Sequence, residues 1–388
     1  MVYKVIGLMS GSSLDGLDIA YVHLQERAGS GRQAVKSWDF ELIHAACYPY
    51  PESWKQRLAA APALSALDYQ LLHVEYGHYL GERVQKFIGE FGLEYKVQLI
   101  VSHGHTAFHW PARQLTAQLG DGAAIAATTR VNVVSDLRAM DLALGGQGAP
   151  IVPIGEELLL PGYELFLNLG GIANVSKHGG APADGGEAAD GGEAADGGAG
   201  GGFLAFDVCP ANRVLNALAE LERLAYDDGG ALAATGKVDH PLLQQLNALP
   251  YYTMPYPKSL ANEFGTEVVL PIVRQAMGER GLSTADALRT YVEHIALQVA
   301  RAVEALGGGS RMLVTGGGAH NTFLVERLRF RLGFEVVVPD TSLVDYKEAL
   351  IMALIGVLRW REENNVLASV TGASRDSIGG AVWIGQEA

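Results

Sequence analysis

The sequence predicts an α/β protein of two domains whose cores repeat one another, and three features predict it. An apolar strand, Val2 to Met9, runs into a Gly/Ser-rich turn and re-enters a second apolar strand, Ile19 to Leu24. The same strand, turn and strand arrangement returns at Leu165 to Ser176. A glycine turn, Gly316-Gly317-Gly318, then joins a strand to a helix between Val314 and Asn321.

The first turn has the composition of a phosphate cradle. Gly11 and Gly16 let backbone N–H groups approach an anion, Ser10, Ser12 and Ser13 add hydroxyl donors, and Asp15 or Asp18 can hold Mg²⁺ directly or through water. No Walker lysine follows it and no G-x-G-x-x-G opens a helix, so neither the P-loop nor the dinucleotide fingerprint applies. Taken alone, such a turn also reads as a plain tight hairpin. Two such units with a later glycine-rich corner suited to adenine point to an internally duplicated ATPase.

The remaining elements follow in order. Phe40 to Cys47 reads as a third strand, and Ala66 to Gly92 carries Leu71, Leu72, Val74, Leu80, Val84 and Ile88 at helical spacing. Val97 to Ser102 is a strand, Gly120 to Arg130 a helix opening after Gly-Asp-Gly, and Asn132 to Val134 a short buried strand. Gly145 to Pro150 punctuates the chain, so the first domain is expected over 1–150 and the second from 151. Beyond its hairpin, the second domain repeats Ala183-Asp184-Gly185-Gly186-Glu187-Ala188 imperfectly through Gly202. These residues bury almost nothing and cannot offset their ordering entropy, so 179–202 is expected to be a disordered surface insertion. A Ca²⁺-binding repeat is the other reading, and its spacing does not fit. Phe203 to Phe206 then leads toward a helix near Pro210, and helices are expected at 211–224, 263–278, 284–306, 320–332 and 344–361.

Composition limits the functions open to the chain. Its 388 residues suffice for two buried cores, and 48% apolar with 19% charged residues is ordinary for a soluble enzyme. A net charge of −14 opposes non-specific binding to nucleic acid or anionic membrane, since no basic block releases counterions. Phosphate would then be held by backbone N–H groups, Mg²⁺ and a few local cations. The N-terminus lacks the basic and apolar regions of a signal peptide, and no run approaches ~18 apolar residues, so a cytoplasmic enzyme is expected. Cys47 and Cys209 are far apart without a C-x-x-C pattern, which argues against a disulfide framework.

The ordered motifs resemble those of the anhydro-N-acetylmuramic acid kinase family, within the sugar kinase, Hsp70 and actin superfamily. Met9 to Asp18 matches its Met-Ser-Gly-Thr-Ser-x-Asp-Gly-x-Asp signature with Ser12 in place of threonine. Ser102 to Thr106 with His109 and Pro111, Leu119 to Gly122, Val134 to Arg138 through Asp141 to Pro150, Pro257 to Ser259, Gly316 to Asn321, Glu348-Ala349 and Ser369 to Ser374 continue the match. The resemblance implies two duplicated ribonuclease H-like cores flanking a cleft, with 151–361 forming the second domain and 362–388 packing back on the first. It implies that water opens the 1,6-anhydro ring and O6 takes the γ-phosphoryl of ATP, giving N-acetylmuramic acid 6-phosphate for peptidoglycan recycling. ATP and Mg²⁺ are the implied cofactors. The partners are small molecules, with no nucleic acid or membrane, and a homodimer is left open. The alternatives are a kinase for another anhydrosugar such as levoglucosan, or a non-catalytic nucleotide-gated regulator of the same fold.

Roles carry over by position. Asp207 matches the family's base; ordinary glycoside hydrolysis needs two carboxylates, but here phosphorus captures the leaving oxygen and one base suffices. Its plain reading is an acid at the start of the following helix. Gly11, Ser12, Ser13, Leu14, Asp15, Gly16, Leu17 and Asp18 are implied to cradle the phosphates, Gly170, Gly171, Gly316, Gly317 and Gly318 to admit the nucleotide, and Asn321 to touch purine or ribose. Asp15, Asp18 and Glu348 are the implied metal ligands. Arg138 suits the lactyl carboxylate as a bidentate donor, against a surface ion pair with Asp136 or Asp141. His103, His105, Asn174 and Glu348 are placed on the sugar, although Glu348 also reads as a plain first-turn acid. His103 and His105 would point the same way from one strand and, with His109, mimic a zinc site, but no acid or cysteine completes the set. Cys209 reads as packing. The chain departs from the family at Val208-Cys209-Pro210-Ala211, usually Thr-Gly-Pro-Gly, and at His105, usually glutamine.

Excising residues 180–201 and closing the ends with a short turn is expected to leave activity and melting temperature near their starting values, because loop-closure entropy varies slowly with length. Loss of folding or of ATP affinity in the excised protein would give the repeat a structural role.

Overall fold

A computed structural model of the chain describes residues 1–11, 14–27, 37–179, 203–255, 258–261 and 263–385. Ser12, Ser13 and all of the expected insertion but Gly179 lie outside the described residues. By their contacts the residues form two units, Met1–Pro161 with Tyr346–Ala388, and Gly162–Asp345. Residues 151–161 and 346–361 therefore group with the N-terminal strands.

The strands among the described residues are β1 Val2–Ser10, β2 Gly16–Glu26, β3 Trp38–Pro49, β4 Leu99–Ser102, β5 His105–Trp110, β6 Leu115–Leu119, β7 Val133–Ser135, β8 Leu165–Leu169, β9 Ile172–Lys177, β10 Leu204–Pro210, β11 Arg311–Thr315, β12 Glu335–Val337 and β13 Ala381–Trp383. In the first unit the sheet order is β13-β7-β4-β1-β2-β3, and in the second β10-β9-β8-β11-β12. The two share one plan. β1, β2 and β3 form an antiparallel meander, with β4 and β7 added in parallel beside β1. β8, β9 and β10 form the same meander, with β11 and β12 added in parallel beside β8. The C-terminal strand β13 closes the first sheet antiparallel to β7.

Each core grows from the apolar runs that mark these strands. Ile6, Leu8, Ile19 and Ile100 pack with Tyr76, Leu80 and Phe87 of α1, Ala66–Glu90, whose first turn is capped by Ser65 accepting from the Asp68 N–H. α2, Gly122–Thr129, is capped in the same way by Asp121. In the second unit Leu167, Leu169 and Val175 pack against α3, Asn212–Ala219, and α4, Thr284–Ala305, with α5, Thr322–Leu332, beyond. The helix expected at 263–278 opens as a π-helical stretch, Phe264–Val269, and turns α-helical at Leu270–Arg280, where Pro271 sits in the first turn and lacks an N–H to donate.

α6, Thr341–Trp360, crosses the first sheet so closely that only glycine fits beneath it. A Cβ on Gly7 would stand 1.9 Å from the Ala349 carbonyl oxygen, and one on Gly356 2.0 Å from a Val101 methyl. Gly7→Ala is expected to destabilise by about 3 kcal/mol, because the obstacle is helix backbone and cannot rotate away. Denaturant unfolding of the variant would measure this; an unchanged midpoint would mean that the helix can lift.

The hairpin of β5 and β6 and a helix at Glu52–Ala60 stand where no element was expected. Most side chains of β5 and of that helix are half-buried or exposed, so the apolar periodicity that marks the other elements is weak there.

Candidate active site

In the first unit the β1–β2 turn is closed by pairing of Ser10 with Leu17 and of Met9 with Asp18. Leu14 adopts a left-handed φ of 58° and donates its N–H to the Gly11 carbonyl at 3.4 Å. Asp15 is exposed, and its carbonyl accepts from the Tyr50 N–H at 3.3 Å. Gly16 owes its identity to the sheet: a Cβ there would lie 2.7 Å from both the Tyr48 carbonyl oxygen and Cys47 Sγ. Leu17 is buried in the core, so it can offer an anion only backbone.

Behind the turn lies a buried hydroxyl network. Tyr50 donates to Ser10 Oγ at 2.9 Å, His105 Nδ1 meets the same Oγ at 3.1 Å, and the Tyr50 and Tyr76 hydroxyls are 2.5 Å apart. The expectation that His103 and His105 leave one strand together is corrected. β4 ends at Ser102, Gly104 turns with φ 72°, and His105 opens β5. His103 Nδ1 donates to the Gly104 carbonyl at 2.9 Å while its Nε2 accepts from Arg138 Nε at 2.9 Å, so both ring nitrogens are engaged. Burial pushes its pKa down to about 3 and that of His105 to about 4, so both are neutral at pH 7. Among the described residues no group of three or more His, Cys, Asp or Glu could hold a metal ion.

Arg138 is not in a surface ion pair. Its Nη1 donates to the Gly148 carbonyl at 2.6 Å, and burial lowers its pKa to about 10, opposed by the charges of Glu348 and Asp141. Asp141, fully buried, accepts from the Gly148 N–H and from the Thr371 hydroxyl, each at 2.6 Å. Gly146 must be glycine because a Cβ would strike the Asp141 carboxylate at 2.3 Å. The glycine-rich stretch before Pro150 is thus folded around Asp141 and presents Arg138. Glu348 is not a first-turn acid, since α6 begins at Thr341. Burial raises its pKa against the charges of Lys347 and Arg138.

In the second unit, strand register lines up Thr315, Asn168, Asn174 and Asp207 across β11, β8, β9 and β10, and paired residues share a face. The sequence placed Asp207 beyond a strand ending at Phe206 and just before a helix. The strand runs on to Pro210 and α3 starts at Asn212, so Asp207 is a strand residue and caps no helix. It stands at a break in register between Asp207 and Cys209, a bulge of the kind that re-aims side chains. Its Oδ2 accepts from the Leu260 N–H at 2.8 Å, its N–H donates to the Lys258 carbonyl at 3.2 Å, and its carbonyl accepts from the Tyr251 hydroxyl at 2.6 Å. Burial raises the carboxyl pKa and the Leu260 N–H opposes the shift. Such a group is a stronger base than an exposed aspartate. Cys209 is buried, with its thiol pKa raised by burial and by Asp207, which removes it as a nucleophile.

The glycine turns of this unit pack around the start of α3. The Ala211 and Asn212 N–H groups donate to the Gly171 and Gly170 carbonyls at 2.8 and 3.1 Å, and Asn212 Nδ2 donates to the Leu169 carbonyl at 2.9 Å. Gly316 has φ 81°, and a Cβ on Gly318 would stand 2.9 Å from Asn212 Oδ1. Asn321 caps α5, its Oδ1 accepting from the Leu324 N–H at 2.9 Å, so a nucleotide contact would fall to its amide nitrogen. Asn168 and Asn212 carry no assigned role from sequence, and Lys258 and Ser259 stand there only as part of the family match, with no link to Asp207. Asn168 had a signal, a lone polar residue inside the apolar run of β8.

No helix among the described residues is long and apolar enough to cross a membrane. The family model described as anhydro-N-acetylmuramic acid kinase matches residues 3–194 and 199–385. A relative of that name from Rhodococcus erythropolis is 38% identical over 400 residues, covering 98% of this chain and 94% of its own. Another from Shewanella amazonensis is 31% identical over 391 residues, covering 97% of each. A solved dehydratase activator from Clostridium difficile with bound ADPNP aligns with TM-score 0.44 and 15% identity, over 93% of this chain and 96% of its own.

Proposed function

Because the chain belongs to the anhydro-N-acetylmuramic acid kinase family, and so is a kinase with the duplicated core of the sugar kinase, Hsp70 and actin fold, we propose that it opens and phosphorylates 1,6-anhydro-N-acetylmuramic acid. Asp207 takes a proton from the water that attacks the anomeric carbon. The bond from that carbon to O6 breaks, and O6 attacks the γ-phosphorus of ATP as the bond to the ADP oxygen breaks. The products are N-acetylmuramic acid 6-phosphate and ADP, which makes the reaction a step of peptidoglycan recycling in the cytoplasm. The observation that carries this reading is the setting of Asp207: a half-buried carboxylate with a raised pKa, aimed by a strand bulge and held by the Leu260 N–H.

The other residues take supporting roles. The backbone from Gly11 to Asp18 and the turns at Gly170-Gly171 and Gly316–Gly318 hold the phosphates and nucleotide, with the Asn321 amide at the nucleoside. Arg138 binds the lactyl carboxylate, and His103, held neutral, orients Arg138 by accepting from its Nε. His105, Asn174 and Glu348 reach the sugar. Mg²⁺, when bound, neutralises charge on the transferring phosphoryl group. Mg²⁺ keeps most of its waters and needs only one or two carboxylates beside the phosphates. Asp15 and Asp18 suit this role. Glu348, between Lys347 and Arg138, fits a sugar contact better than a metal. The departure at residues 208–211 falls on buried Val208, Cys209 and Ala211, so it changes packing and gives no ground for a different sugar.

Incubating the purified protein with MgATP and either 1,6-anhydro-N-acetylmuramic acid or levoglucosan tests the reading. ADP and a sugar 6-phosphate should form with the first substrate. Turnover of levoglucosan alone, or ATP binding without turnover of either, would replace it.

A further inference from the structure

Arg213, second residue of α3, lays its guanidinium against the Gly170-Gly171 turn. A side chain begun on Gly171 would stand 3.7 Å from its Nε and 3.9 Å from its Nη2. That Nε is sealed from solvent and has no hydrogen-bond acceptor. Among the described residues four other arginines share this condition, but each has a counter-charge: Arg83 lies against Glu82, Arg289 and Arg327 against Glu293, and Arg311 against Glu335. Among the described residues Arg213 has no such carboxylate. Gly265 leaves room for its stem, since a Cβ there would meet Arg213 Cδ at 3.6 Å. A desolvated donor without an acceptor costs about 1–3 kcal/mol, and a charged one costs more. Among the described residues the fold leaves this Nε without an acceptor beside a glycine turn. The Thr315 hydroxyl, which ends β11 just before the Gly316 turn, is also buried without a partner among the described residues. An anion with several acceptor oxygens would satisfy such donors, and a guanidinium fork matches a phosphate.

We propose that Arg213 is a phosphate ligand that binds the polyphosphate of the nucleotide at the Gly170-Gly171 turn. The proposal rests on the ATP-dependent reading above. It adds a cation that the family motifs quoted for this chain do not include, and it explains how a chain of net charge −14 concentrates positive charge where phosphate must sit.

Calorimetric titration of the wild type and of Arg213→Gln with ADP, a non-hydrolysable ATP analogue, adenosine and N-acetylmuramic acid 6-phosphate tests it. ADP and the ATP analogue should bind roughly 10- to 100-fold more weakly to the variant, with adenosine unchanged. Arg213→Lys, which keeps the charge and loses the fork, should fall between. The ligand-free melting temperature of Arg213→Gln should hold or rise, because a buried orphan donor has gone. Unchanged ADP affinity overturns the proposal, a loss confined to the sugar phosphate moves Arg213 to the product, and a fall in the ligand-free melting temperature assigns it to the fold. An active wild type with an Arg213→Gln variant that binds ADP normally defeats this inference alone, whereas an inactive wild type defeats the functional reading.

Discussion

Asp207→Asn is expected to lower kcat by ~10²–10⁴-fold while leaving ATP affinity within about twofold, the range lost when a positioned general base is removed. The amide keeps the volume of the carboxylate and can still accept from the Leu260 N–H, so the strand bulge and the 258–260 segment should stay in place. What it cannot do is take a proton from water. The raised pKa supplies a second readout with a definite sign. A base works only when deprotonated, so wild-type kcat should fall as pH drops through a value above the ordinary aspartate range. The Asn variant should lose that acid limb along with its rate. The linked effect on stability runs the other way: a carboxyl whose folded pKa is raised favours the folded state when protonated, so its contribution is present at low pH and lost as pH rises through that pKa. Turnover at wild-type rate in Asp207→Asn, with the acid limb intact, would remove Asp207 from the chemistry.

The fold was legible because both meanders announce themselves by uninterrupted apolar strands broken at glycine turns. β1 and β8 are buried on both faces, which makes their runs continuous, and the crossing of α6 leaves its trace in Gly7. The β5–β6 hairpin leaves no such trace, since most of its residues are only half-buried or exposed. At the site, sequence named residue types well and geometry poorly. Asp207 reads from sequence as an acid near a helix, but its bulge depends on pairing with β9, which the repeat separates from it in sequence and which leaves no local signature. His103 and His105 are two apart, a spacing that suits one strand, and only the positive φ of Gly104 separates their directions. Sequence sets Arg138 beside Asp136 and Asp141 because they are neighbours along the chain. In the fold Asp141 is consumed by Gly148 and Thr371, the latter more than two hundred residues away along the chain, and that long-range closure redirects the guanidinium to His103. Arg213 carries no sequence signal for a related reason: whether a buried donor lacks an acceptor is a property of the packed structure alone.

Arg138→Ala is expected to cost ~2–4 kcal/mol in kcat/KM toward 1,6-anhydro-N-acetylmuramic acid, because a desolvated, charge-assisted pair with the lactyl carboxylate is lost and the anion is left unpaired. Two bonds complicate the simple variant. Nε holds His103 and Nη1 holds the Gly148 carbonyl, so alanine also loosens the loop folded around Asp141. That part of the loss does not depend on the substrate. Measuring kcat/KM for wild type and variant on the muramyl substrate and on levoglucosan, which carries no lactyl acid, separates the two contributions. The loss common to both substrates reports the tether to Gly148, and the excess on the anionic one reports the carboxylate. A guanidinium has five donors, and the two used internally leave a fork able to take a carboxylate, so the excess should make up most of the loss. The burial that lowers the Arg138 pKa to about 10 leaves it cationic throughout the neutral range, so the excess should also stay constant between pH 6 and 8. Equal losses on both substrates would confine Arg138 to holding the loop, and recognition of the muramyl acid would then have to come from another cation.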